Sequence, residues 1–183
     1  MKALTHLHNW IVAALLLLAT PVWADEARLD DLFQQLQTAT AEESAQITTS
    51  IWIEWSKSGS PAMDLLLKRG RDAMNAGQPG LAIEHLTALI DHAPDFAEGY
   101  NARATAYFQT GDLGPSVADI AKTLTLNPRH FGALSGLGMI FEELGQPVKA
   151  LEVYKAALAI NPHMPNIKDA VKRLEISVGG QDL

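Results

Sequence analysis

The sequence predicts an all-α solenoid, and three regularities predict it. Residues 63–164 divide into three consecutive blocks of 34 residues: Met63–Phe96, Ala97–His130 and Phe131–Met164. Block position 15 is Gly each time (Gly77, Gly111, Gly145) and position 32 is Pro each time (Pro94, Pro128, Pro162). Position 8 is always small (Gly70, Ala104, Gly138), and position 24 is always large and apolar or aromatic (Leu86, Ile120, Tyr154). A helix–turn–helix unit of this period buries its apolar face only by stacking on its neighbours.

The elements follow in chain order. Lys2 precedes an unbroken apolar run from Trp10 to Ala19, and Thr20-Pro21 breaks it. Val22-Trp23-Ala24 then has the small-x-small form of a cleavage site. Residues 1–24 therefore read as a secretory signal peptide cut after Ala24. The apolar run falls short of the roughly 20 residues of a spanning helix, so no stable membrane insertion is expected after cleavage. The chain has no cysteine, hence neither disulfide, thiol nucleophile nor lipoprotein cysteine. These features predict an exported, soluble, periplasmic protein.

Residues 25–60 predict a helical hairpin. Leu29, Leu32, Phe33 and Leu36 make one helical face over Arg28–Gln37. Thr38-Ala39-Thr40 interrupts it, and Thr40 with Glu43 has the form of a capping box for a second helix over Ala41–Lys57. The hairpin does not fit the 34-residue register. It reads as an N-terminal cap or a degenerate repeat, with Trp52 and Trp55 either covering the open edge of the first repeat or forming a binding platform. In Ser58-Gly59-Ser60-Pro61, Gly59 suits a helix end, Ser60 an N-cap and Pro61 a first helical position.

The repeat region spans 61–164. Its turns are Gly77-Gln78-Pro79, Gly111-Asp112-Leu113-Gly114-Pro115 and Gly145-Gln146-Pro147, each placing Pro near the start of the second helix. Residues 165–183 carry one more apolar stripe, Ile167, Ala170, Val171, Leu174 and Val178. Charges lie opposite it, as a terminal capping helix requires.

Composition and motifs narrow the function. Net charge is −7, which argues against nucleic acid, whose binding needs a basic footprint, and against anionic lipid. No phosphate loop or nucleophile elbow occurs, and Gly136-Leu137-Gly138 lies inside a helix, where it serves close packing. His85 and His92 stand two helical turns apart, roughly 10 Å, too far to share a metal. His130 and His163 read as polar residues at helix ends. Neither an enzyme, a cofactor nor a metal site is predicted.

The blocks resemble tetratricopeptide repeats (TPRs). Block three carries the family pattern with Leu134, Leu137, Gly138, Phe141, Gly145, Ala150, Tyr154, Ala157 and Pro162. Block two matches with Tyr100, Ala104, Tyr107, Gly111 and Pro128, but has Ser116 and Thr123 where the pattern has alanine. Block one matches with Leu66, Gly70, Gly77, Ala82, Leu86 and Pro94, and departs at Ala73 and Leu89. The resemblance implies a right-handed superhelix of antiparallel helix pairs with a concave groove lined by the first helix of each pair. Carried over by position, the groove candidates are Arg71, Asn75, Asn101, Thr105, Phe108, Gln109, Ser135, Met139 and Glu142. Phe108 and Met139, on adjacent repeats, would form an apolar pocket for a partner side chain, and Asn101 would bond a peptide backbone. The same face also reads as an ordinary solvated surface. The two-carboxylate clamp of chaperone-tail-binding TPRs is not reproduced, since Gly132 and Gly136 stand where it needs cations. The chain is also similar, through Trp52, Trp55 and Ser58–Pro61, to short exported TPR proteins of proteobacteria.

The resemblance implies a non-enzymatic scaffold or adaptor holding a peptide or helix of another envelope protein. The alternative is a structural subunit that self-associates or docks into an envelope assembly, and the sequence leaves the oligomeric state open. An enzyme accessory with chemistry in the hairpin is the third reading; its roughly 35 residues hold no nucleophile–base pair.

Overall fold

The computed structural model describes residues 22–179, so most of the expected signal segment and the last four residues lie outside the described part. Nine helices occur among the described residues: α1 (Val22–Thr38), α2 (Ala41–Trp55), α3 (Pro61–Asn75), α4 (Pro79–His92), α5 (Ala97–Thr110), α6 (Leu113–Leu126), α7 (Phe131–Glu143), α8 (Pro147–Ile160) and α9 (Pro165–Gly179). The described part is all-α. Helices α3/α4, α5/α6 and α7/α8 are three stacked antiparallel pairs, α9 closes the far end, and α1/α2 is a separate hairpin. The expected cleavage point, after Ala24, falls in the first turn of α1.

The repeated residues make the pairs. Gly77, Gly111 and Gly145 sit in the turns at φ +71°, +81° and +64°, a left-handed conformation that glycine adopts without a Cβ penalty. Positions 8 and 24 meet inside each pair. A Cβ on Gly70 would lie 2.5 Å from Leu86 Cγ, and one on Gly138 would lie 2.3 Å from Tyr154 Cε1. Block two departs from alanine at two positions, and both hydroxyls find backbone acceptors. Ser116 Oγ donates to Ala104 O at 2.8 Å and Thr123 Oγ1 to Asp119 O at 2.9 Å.

Between repeats the core is continuous. Leu67, Leu86 and Leu89 pack with Ala102 and Ala106 of the next pair. Ala104 and Ile120 pack with Ala133 and Ile140. Tyr154 packs with Ile167, Val171 and Leu174 of α9. Arg103 donates two hydrogen bonds to Asp119, at 2.7 and 2.9 Å, and one to Thr87 of the preceding pair, at 3.0 Å. It thereby ties α5 to the second helices of both pairs, α4 and α6.

The hairpin sits elsewhere than on the edge of the first repeat. Phe33, Leu36, Ile51 and Trp55 form one apolar cluster with Phe131 of the third repeat, flanked by Ile160 and Met164. Gln37 Nε2 donates to Ile160 O at 2.8 Å, a ring nitrogen of His163 lies 3.1 Å from Leu36 O, and Arg129 pairs with Asp30 at 2.7 Å. The reading of Trp52 and Trp55 as a cover for the first repeat is thus corrected. The physical reason lies on α3, whose outer face already carries exposed Lys68, Arg69 and Asp72, with Lys68 and Asp72 paired at 2.6 Å. That end leaves Leu65 47% exposed and without a cover. The hairpin instead covers Phe131, at the junction of repeats two and three.

Candidate functional site: the concave surface

Helix α2 begins with the capping box its sequence predicts. Thr40 N–H donates to Glu43 Oε2 at 2.9 Å, and Glu43 N–H donates back to Thr40 Oγ1 at 3.3 Å. The hydrogen bond from the Thr40 backbone holds the Glu43 carboxyl below its ordinary pKa. From there α2 runs past the N-terminal ends of the three groove helices; it or its linker meets α7 and α3 at block position 2, and reaches that position of α5 through Arg71 and His130. At α7 the indole of Trp52 lies over Gly132, where a Cβ would come 2.5 Å from Trp52 Cη2. At α3, Asp64 Oδ1 accepts from Ser58 N–H at 2.8 Å and from Ser58 Oγ–H at 2.6 Å.

At α5 the position-2 residue is Glu98, buried with only 2% exposure. Its carboxylate accepts from Arg71, from Asn101 Nδ2 at 3.1 Å and from His130 Nε2 at 2.9 Å. Arg71 also donates to Ser56 Oγ, at 3.0 Å, in the linker after α2. His130 is the side-chain N-cap of α7: its Nδ1 accepts from Ala133 N–H at 3.0 Å, so the ring proton sits on Nε2 and points at Glu98. Trp55 stacks on the same imidazole at 4.2 Å and 16°. A buried charge without partners would cost several kcal/mol, and this network gives Glu98 three. One rim of the concave surface is therefore filled from within the chain.

A cavity of about 320 Å³ lies beside this rim, between Trp52, Gly132 and Ser135 and the turn at Asn161 and His163, and two further cavities adjoin over the groove helices. The larger, about 700 Å³, lies between α2 (Trp52, Ile53) and the groove faces of α3 and α5 (Arg71, Met74, Asn101, Thr105). The smaller, about 220 Å³, lies between α5 and α7, and Phe108, Ser135, Gly136 and Met139 line it with Asn101 and Thr105. Asn101 and Thr105 border both, so the two adjoin.

Six of the nine sequence candidates thus come together here: Arg71, Asn101, Thr105, Phe108, Ser135 and Met139. Arg71 is turned inward to Glu98 rather than left for a ligand. Asn75 and Gln109 are exposed and line neither cavity. Glu142 accepts from Tyr154 Oη at 2.9 Å and pairs with Arg173 at 2.7 Å, which ties α7 to α8 and α9. Burial, with help from Glu142, pushes the Tyr154 phenol well above its ordinary range. Position counting from the repeat did not find Trp52, Ile53 and Ser56 of the hairpin. The available signal was Gly132, a glycine at a groove position where the other repeats carry acids. Among the described residues, no cluster of three or more His, Asp or Glu is placed to hold a metal, and no helix is long and apolar enough to cross a membrane.

This arrangement can be set beside known proteins. A TPR repeat-containing protein of Rhizobium etli is 34% identical over 154 residues, covering 84% of this chain and 76% of the relative. The chain belongs to the tetratricopeptide-repeat family. Family models described as tetratricopeptide repeat match residues 67–115 and 131–164 of this TPR protein. Among solved structures, the first TPR of Spaghetti (RPAP3), bound to an HSP90 peptide, superposes with a TM-score of 0.62 at 21% identity. It covers 66% of this chain and 95% of that one. MamA superposes with a TM-score of 0.61 at 21% identity, covering 81% and 85%. These two likenesses show the shared fold.

Proposed function

We propose that this TPR protein is an exported, non-enzymatic adaptor that holds a peptide segment or helix of another envelope protein on its open concave floor. One observation carries the reading. Two adjoining cavities, joined at Asn101 and Thr105, leave the floor of the groove uncovered while the rim beside it is filled. A concave, mostly apolar cleft with a few polar groups is the usual form of a binding site. The Spaghetti TPR holding an HSP90 peptide and the TPR2B domain of yeast Sti1 in its complex with pHsp70 support the same use of the fold. The non-enzymatic reading rests on the ionisable groups here bonding one another, Arg71 to Glu98 and Glu98 to His130, at the edge of the larger cavity. The periplasmic placement rests on the signal-like segment of Lys2, Trp10–Ala19 and Ala24.

A photo-crosslinking residue at Thr105, exposed on the floor, tests this against one at Leu81, exposed on the opposite side of the first repeat. The adaptor reading predicts an adduct with a different envelope protein from position 105 and none from position 81. Equal adducts from both positions, or none from position 105, contradict it.

A further inference from the structure

We infer that the segment held on this floor is uncharged and internal to its protein, and that it inserts one aromatic or large aliphatic side chain between α5 and α7. This rests on the adaptor reading and adds the chemistry of the ligand. The first support is charge. Every ionic group bordering the larger cavity is already engaged: Arg71 by Glu98 and Ser56, Lys57 by Glu54, Asp64 by Ser58. The smaller cavity is lined by no charged residue at all. A terminal carboxylate or acidic cluster would enter without a free cation to meet it, and burying it unpaired is strongly unfavourable.

The second support is size and polarity. An apolar cavity of about 150 Å³ takes up a benzene molecule. The space bounded by Phe108, Ile120, Met139 and Ile140 measures about 220 Å³, enough for one ring or one Leu or Met side chain. Thr105 and Ser135 both spend their hydroxyl protons on their own helix, at Asn101 O and Phe131 O, so the walls present little unmet polarity. The third support is the hairpin. Trp52 occupies the place over Gly132, while the Asn101–Thr105 row borders both adjoining cavities and is the path between them.

Random 12-residue segments, displayed either within a loop or with a free C-terminal carboxylate, are selected on the full chain. Enriched segments are then rebound to G136L and M139K. A Cβ on Gly136 meets only Ile120 Cδ1, at 3.7 Å, so leucine fills the cavity from a position that accepts a side chain. Met139 is 47% exposed, so lysine there adds charge at the mouth without touching the core. The inference predicts segments with one aromatic or large aliphatic anchor, no acidic bias and no need of a free terminus. It also predicts at least about tenfold weaker binding to both variants, the size of a lost central anchor. Enrichment of acidic or carboxylate-terminated segments, undiminished binding to either variant, or no enrichment overturns it. An adduct at Thr105 to a charged segment would remove this inference alone; absence of any adduct there would remove the adaptor reading.

Discussion

The filled rim and the open floor of the concave surface use the same three helices to opposite ends. At position 2 of each groove helix the residue faces the chain itself: Asp64 takes Ser58, Glu98 takes Arg71 and His130, and Gly132 makes room for Trp52. One to three turns further on, Asn101, Thr105, Phe108, Ser135 and Met139 make no such contact with the hairpin and form the walls of the cavities that Asp64, Glu98 and Gly132 edge. A repeat position therefore does not by itself define a ligand contact. What decides it is whether another part of the chain has already taken the place.

Substitutions can separate the hairpin from the array, and the largest effect belongs to the rim. Trp55→Ala removes a side chain that packs Phe33, Phe131 and His130, and should cost about 3–5 kcal/mol. Amide exchange should show α1 and α2 losing protection while α3–α6 keep theirs. Equal loss along the whole chain would erase the distinction between hairpin and array. Next comes a matched pair of glycines. Gly132→Ala and Gly138→Ala each force a Cβ into an aromatic ring, of Trp52 and of Tyr154, at about 1–3 kcal/mol. The first should loosen only the hairpin, the second α7, α8 and α9. Tm measured together with exchange distinguishes them.

Two smaller effects concern the start of α2. Thr40→Ala should lower stability by about 1 kcal/mol, read from denaturant midpoints. The pH dependence follows from Glu43, whose folded pKa is depressed by the Thr40 backbone donor. Its contribution is complete above the ordinary glutamate range, near about pH 4.3, and is lost as pH falls through the carboxyl's own lower value. Exchange at the first turn of α2 should therefore rise on acidification, beyond the intrinsic change, in the native chain and not in Thr40→Ala.

The array was legible in the sequence because its physics repeats. Small residues at position 8 facing large ones at position 24, and Gly at 15, recur three times, so each copy supports the others. The bounds of α3 to α9 follow from the Gly and Pro punctuation. The hairpin's helices were legible from Leu29, Leu32, Phe33, Leu36 and the Thr40–Glu43 box, but its docking was not. Trp52 meets Gly132 once, across eighty residues, and nothing periodic announces that contact. Reading the site by position consequently gathered the floor residues and missed Trp52, Ile53 and Ser56. Position also assigns to the groove Asn75 and Gln109, which line neither cavity, and Glu142, which Tyr154 and Arg173 hold.

The central claim is that the hairpin stays on the rim while the floor does the binding. A chain beginning at Asp25 contains only Trp52 and Trp55 among the four tryptophans, so its fluorescence reports on the hairpin alone. Acrylamide quenching with and without a segment selected on the floor is the direct measurement. Quenching well below that of the unfolded chain is expected in both states, with Trp55 held between Phe131 and His130 and Trp52 half-buried beside the larger cavity. Quenching that rises to the level of the unfolded chain, in either state, would show the hairpin undocked and contradict it.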